Sequence, residues 1–283
     1  MPTLRLADGS KVFAAGRGLG VQAGERLIFR FTADSPKQLE SMNFTTTGPK
    51  SKILGLYNIS PFVRDIEVDT RAGEPYELLI EKETDSPLPE TVFGPLRIVP
   101  RNLFIETSAE GQMDPNACWA ASIAWWSTAM RDRPTLTQQT LLVRFAGTWN
   151  SDGTINVDKF EKGIKESADL RMVTKRINPS SLKGTLGYWP IIIGFRAPGG
   201  FGHMNVLYGW GPGGKVKAMD PWYPDPGPDG LGSDSGFMYL TDPNFKFSGQ
   251  LMTQDVKYWE KPAPGQSQLV IAYPQEYLDK LDI

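Results

Sequence analysis

Residues 112–130 read QMDPNACWAASIAWWSTAM, and here the pattern of the chain changes from short alternating runs to a single helical one. Asp114, Pro115 and Asn116 are loop and capping residues, and after them Ala120, Ala121, Ala124, Trp125, Thr128 and Ala129 recur at three- and four-residue spacing. The one cysteine, Cys118, therefore falls in the first turn of a helix. Unpaired backbone N–H groups and the positive end of the helix dipole stabilise a thiolate at that position, and the thiolate is the nucleophilic form of cysteine. A lone cysteine is more often a small buried hydrophobe, so its meaning depends on what else the chain brings to it.

Before this helix, up to about residue 104, the chain reads as strands separated by turns, with no convincing helical period. Strands are expected at 3–6, 11–14, 26–32, 53–57, 65–69, 76–81 and 96–99; RLIFRFT and YELLIEKE alternate in part, and Asp8-Gly9, Ala23-Gly24 and Ala72-Gly73 supply turns. That spacing suggests a β-sandwich or barrel, read as a structural or partner-binding module. The segment 84–95, with Pro87, Pro89 and Pro95, has the look of an interdomain connection. The expected division is an all-β accessory or partner-binding domain over 1–104 and a second domain over 105–283. In the second, further helices are expected at 136–145 and at 157–167, the latter capped by Asn156. Strands then return at 171–176, 190–195, 203–210, 215–219, 237–240 and 268–273. Helices first and strands afterwards indicate an α+β domain.

Composition removes several classes of function. One cysteine rules out an internal disulfide and, with one histidine, leaves too few soft ligands for a zinc site, so neither metal nor cofactor is expected. The cysteine count fits a reducing compartment. Thirty basic against 32 acidic residues give a formal charge of −2, which provides no general attraction to nucleic acid or anionic lipid. The N-terminus has no apolar core of the signal-peptide kind and no run approaches a membrane span, so a soluble protein without a Sec signal is expected.

Three further residues keep company with Cys118. His203, the only histidine, opens the run HMNVLYGW directly after the glycine-rich APGGFG, and Asp220 ends KVKAMD. Neighbouring strands joined by the turn at 211–214 would bring both to one end of a hairpin, the geometry for a carboxylate holding an imidazole. Gln112, just upstream of the cysteine, carries an amide able to donate to an oxyanion together with the Cys118 N–H.

Taken together, Gln112, Asn116-Ala117-Cys118-Trp119, Gly202-His203 and Asp220-Pro221-Trp222 resemble the papain-like cysteine peptidases in residue types and order. Differences are also visible. The papain signature C-G-[SA]-C-[WY] is not present, 85 residues separate Cys118 from His203 (203 minus 118) where papain has roughly 130 to 150, and the third member is Asp instead of Asn. These differences fit the compact bacterial branch, with staphopain-like enzymes and the avirulence proteases of plant pathogens.

The resemblance covers about 106–225 and implies a papain-like α+β peptidase domain with Cys118, His203 and Asp220 as triad, Gln112 in the oxyanion hole and Trp222 shielding the His203–Asp220 bond from water. It also implies a protein or peptide substrate. The protein would be an effector or toxin, either cytoplasmic or delivered into a target cell by a specialised secretion system, with an immunity or delivery partner engaging the N-terminal domain. Two other readings remain open from sequence: a cysteine amidase or peptidoglycan hydrolase, and a catalytically dead binding protein.

Overall fold

The computed structural model describes residues 1–15, 17–47, 52–71, 75–84, 90–114, 116–131, 133–186, 189–222 and 247–277. The chain divides into two units, Met1–Leu103 together with the residues from Glu276 onward, and Phe104–Gln275.

In the first unit, strands β1 (Thr3–Leu6), β4 (Leu27–Thr32), β7 (Val63–Val68) and β6 (Ile53–Ser60) form one sheet in that order. A second sheet runs β2 (Phe13–Ala15), β3 (Gly18–Gln22), β9 (Glu90–Arg101), β8 (Tyr76–Lys82) and β5 (Met42–Thr46). The period of β4 shows why they form one core: Leu27, Phe29 and Phe31 are buried while Ile28, Arg30 and Thr32 are half-buried on the opposite face. Phe31 meets Phe44 of the second sheet edge-on at 5.8 Å, and on its outer face Arg30 grips Asp65 of β7 through two 2.8 Å hydrogen bonds as a cross-strand pair. One helix, α1 (Pro36–Glu40), interrupts the strands. Its signal was in the sequence, in Ser35 capping the Gln38 N–H, proline at the first turn and Gln38 reaching back to the Asp34 N–H.

The proline-bearing segment is not a connection between units. Lys82 pairs with Glu90, so residues 83–89 join two antiparallel strands of one sheet, and Pro95 sits in β9 where the register with β8 shifts. Proline removes a ladder donor and is tolerated at such irregularities, which is how a strand can carry the mark of a linker. Strands β3 and β5 were not anticipated, and the two glycines of GLGVQ explain the first omission.

The second unit is built on a six-stranded antiparallel sheet in the order β10 (Met172–Ile177), β15 (Leu269–Pro274), β11 (Ile191–Arg196), β12 (Gly202–Trp210), β13 (Val216–Asp220) and β14 (Gln250–Gln254). Helix α2 (Cys118–Ala129) packs on β12, α3 (Gln138–Arg144) packs on α2, α4 (Val157–Glu166) lies against β10, and the short α5 (Leu182–Thr185) precedes β11. Asn156 caps α4 by accepting the Lys159 N–H at 2.9 Å. Strand β14 was not anticipated, and the strand expected at 237–240 lies outside the described residues. No helix among the described residues is long and apolar enough to cross a membrane.

The expected fold class, a papain-like α+β peptidase domain behind an all-β domain, is overturned. Among the described residues strand accounts for 41% and helix for 22%, in three sheets with few helices. Three helical signals in succession made the second half look helix-led; the apolar runs IIIGFR, HMNVLY and LVIAYP, expected as strands, join with β14 and the other strands into a six-stranded sheet that outweighs the helices.

Glu276 and Tyr277, placed with the second domain in the expected division, belong to the first unit. The Ala14 N–H bonds the Glu276 carbonyl at 2.9 Å, and the buried Tyr277 ring meets Phe13 edge-on at 5.7 Å. All eight tryptophans lie in the second unit, so their fluorescence reports on that unit alone. Tyr277→Ala is expected to destabilise the first unit by about 3 kcal/mol, the usual cost of emptying a buried aromatic site. Denaturant titration followed by far-UV circular dichroism should show an earlier transition while the tryptophan transition stays in place.

Candidate active site

Helix α2 begins at Cys118, and no side chain caps it: the N-cap residue is Ala117. Asp114 and Asn116, expected as capping residues, instead form the turn that leads in, Asp114 accepting the Ala117 N–H through its carbonyl at 3.1 Å and the Asn116 N–H through its carboxylate at 2.8 Å. Pro115 lies outside the described residues. The half-buried Cys118 thus opens a helix whose start no side chain closes.

The residues on either side of Cys118 are tied to one turn. The Asn116 side-chain amide donates to the Asp152 carbonyl at 2.8 Å and the Trp119 indole donates to the Gly153 carbonyl at 3.0 Å. Gly153 has φ 86°, and a Cβ there would stand 2.5 Å from the Asp114 carboxylate, so only glycine lets this turn approach. Behind Cys118 every residue from Trp119 to Ser127 is buried, so α2 is a central helix and not the amphipathic one its spacing suggested. Ser122 donates to the Met204 carbonyl at 3.2 Å and Trp126 to the Pro190 carbonyl at 2.9 Å, which fixes the helix across the sheet.

His203 is the second residue of β12 and Asp220 the last of β13, joined through the turn in which the Gly211 N–H bonds the Lys215 carbonyl at 2.8 Å. Both side chains are buried, and His203 Nε2 stands 2.8 Å from Asp220 Oδ1. Cys118 lies within electrostatic reach of the same ring and acts on it in the same direction as Asp220. Burial by itself would push the imidazole pKa down, because a cation loses its hydration. The Asp220 hydrogen bond, followed by the interaction with Cys118, outweighs that loss and holds His203 up at about 10.

Gln112 is fully buried beside this pair. Its N–H bonds the Pro221 carbonyl at 3.1 Å, its carbonyl accepts the Phe247 N–H at 3.0 Å, and its side-chain amide donates to the Asp114 carbonyl at 3.0 Å, at the turn that leads to Cys118. Trp222 donates its backbone N–H to Asp220 Oδ1 at 3.0 Å, and its ring stands edge-on to the imidazole at 6.2 Å. All five residues singled out in the sequence therefore fall in one neighbourhood. Sequence reasoning missed the other aromatic rings here. Phe195 and Phe201 lie 5.8 and 6.1 Å from His203, and Phe247 stacks on Trp222 at 5.1 Å. Phe195 had a readable signal, since it faces His203 across the β11–β12 pair; Phe247 comes from a distant segment and had none. Among the described residues no group of three or more His, Cys, Asp or Glu is placed to hold a metal.

His203 is the only histidine, so its ring signals in an NMR titration are unambiguous. The imidazolium should persist through neutral pH and titrate at about 10, and both Cys118→Ala and Asp220→Asn should lower the midpoint, because each removes a partner of the cation. A wild-type midpoint near 6.5 would mean the three groups are not coupled. The sign for stability follows from a folded-state pKa above the unfolded one. The contribution is complete below 6.5 and disappears as pH rises towards 10, so the stability lost in Asp220→Asn should be largest in acid and shrink in alkali.

Neither the known protein-family models nor the curated proteins include a match to this chain, so its function has to be argued from the chemistry of these residues.

Proposed function

We propose that the second unit is a cysteine peptidase that cleaves peptide bonds by nucleophilic acyl transfer. The observation that carries this reading is the single imidazole, buried, hydrogen-bonded to Asp220 and within electrostatic reach of the helix-start Cys118. The resemblance to papain-like peptidases rests on these residues and their order, not on the fold.

In this reading the Cys118 thiolate attacks the carbonyl carbon, and the electron pair displaced onto oxygen is met by the Cys118 N–H and the Gln112 amide. As the tetrahedral centre collapses the C–N bond breaks, and His203, as imidazolium, gives its proton to the departing amine. The neutral imidazole then takes a proton from water. The resulting hydroxide attacks the thioester, the C–S bond breaks, and thiolate and imidazolium are restored. Asp220 takes no proton in either half; it orients the ring and favours its charged form. Trp222 and the neighbouring phenylalanines keep bulk water from the His203–Asp220 bond, which strengthens it in a less polar surrounding.

Purified protein incubated with fluorescently labelled denatured casein, or with a complex proteome whose new N-termini are sequenced, provides the test. Cys118→Ala and His203→Ala should abolish cleavage with circular dichroism unchanged. Gln112→Ala should lower kcat by roughly a hundred- to a thousandfold, the usual cost of one oxyanion donor, with little change in KM. Undiminished cleavage by Cys118→Ala would end the proposal.

A further inference from the structure

We propose that Gln138 is the positioning residue of the oxyanion donor Gln112, a role that rests on the peptidase reading above. Gln138 is the first residue of α3, 2% exposed, and its amide serves the backbone on both sides of Gln112. Its Oε1 accepts the Met113 N–H at 2.9 Å, and its Nε2 donates to the Gly111 carbonyl at 2.9 Å and to Glu110 Oε1 at 2.6 Å. Residues 110, 111 and 113 are thus all held by one side chain, with the donor between them.

The anchor is itself anchored to the nucleophile. Thr137 caps α3 by accepting the Thr140 N–H at 3.1 Å, which sets where the helix starts and so where Gln138 projects. The helix continues into Phe145, whose ring meets Trp119 at 5.2 Å, and Trp119 directly follows Cys118. Gln138 therefore refers the 110–113 segment to the same pair of packed helices that carries the thiol. Gln112 itself is held by Pro221 and Phe247, and a Cβ at Gly111 would fall on the Phe247 carbonyl, so the segment has no slack towards residue 247. Removing Gln138 takes away the hydrogen bonds that hold residues 110, 111 and 113 and leaves only those that Pro221, Phe247 and Asp114 make to Gln112 itself.

An oxyanion donor acts through placement, and a displacement of about an ångström at such a group can cost up to about a hundredfold in rate. The experiment uses the full chain with Gln112→Ala, Gln138→Ala, Gln138→Met and the double variant Gln112→Ala/Gln138→Ala. Casein cleavage gives kcat and KM, and iodoacetamide alkylation of Cys118 provides a reaction that has no oxyanion to stabilise. Gln138→Met keeps the buried volume, so it reads out the lost hydrogen bonds even where Gln138→Ala fails to fold.

Both Gln138 variants are expected to lower kcat by roughly ten- to a hundredfold with KM and alkylation rate unchanged. The double variant should be no slower than Gln112→Ala, because the anchor acts only through the donor it holds. Multiplicative losses in the double variant, an undiminished kcat in Gln138→Met, or a fall in alkylation rate parallel to kcat would overturn the proposal. Failure of the underlying reading looks different: Gln112→Ala would itself retain full kcat, whatever the Gln138 variants did.

Discussion

A histidine cannot be buried as a cation unless something replaces its water, and this site depends on how that is done for His203. His203 is 6% exposed, and its imidazole interacts with both Asp220 and Cys118. Neither partner alone explains the arrangement. A buried carboxylate next to a neutral imidazole would leave its charge uncompensated, and a buried imidazolium without the carboxylate would do the same. The three groups stabilise one another, so the site is a unit whose members make little chemical sense separately.

Holding that unit together are two elements remote in sequence. The β12–β13 hairpin brings His203 and Asp220 together through strand register, which backbone hydrogen bonding enforces without help from other parts of the chain. Helix α2 brings Cys118 to them from across the sheet, and it stays there because its side chains bury on every face and bond to the strand backbone through Ser122 and Trp126. A helix buried in this way has little freedom to slide, and the position of its first residue inherits that rigidity. The start of the helix is the one place left unclosed by a side chain, and it is where the sulfur sits.

The misreading of the fold has a physical origin. Periodicity distinguishes helices from strands by which face is buried, and it fails where both faces are. Helix α2 carries no clean stripe because it lies inside the unit, and its spacing read as an amphipathic helix; IIIGFR and LVIAYP, which also lack alternation because they lie inside a sheet, were expected as strands and are strands. The first unit misled differently. Pro95 stands in a strand at a register shift, and the proline content of its neighbourhood read as a linker although the flanking strands pair with each other.

What the sequence determined by itself was the set of reactive residues and the local geometry that follows from short-range rules. Cys118 at a helix start, the Asn156 cap, and His203 with Asp220 at one end of a hairpin all follow from spacing, turns and capping. Tertiary structure alone decided what those residues meet. That Gln138 grips both sides of Gln112, that Phe247 stacks on Trp222, and that Tyr277 returns to Phe13 in the first unit are contacts between segments 25 residues or more apart in the chain. Such contacts are set by packing and register across the whole sheet, and no local pattern of residue types encodes them.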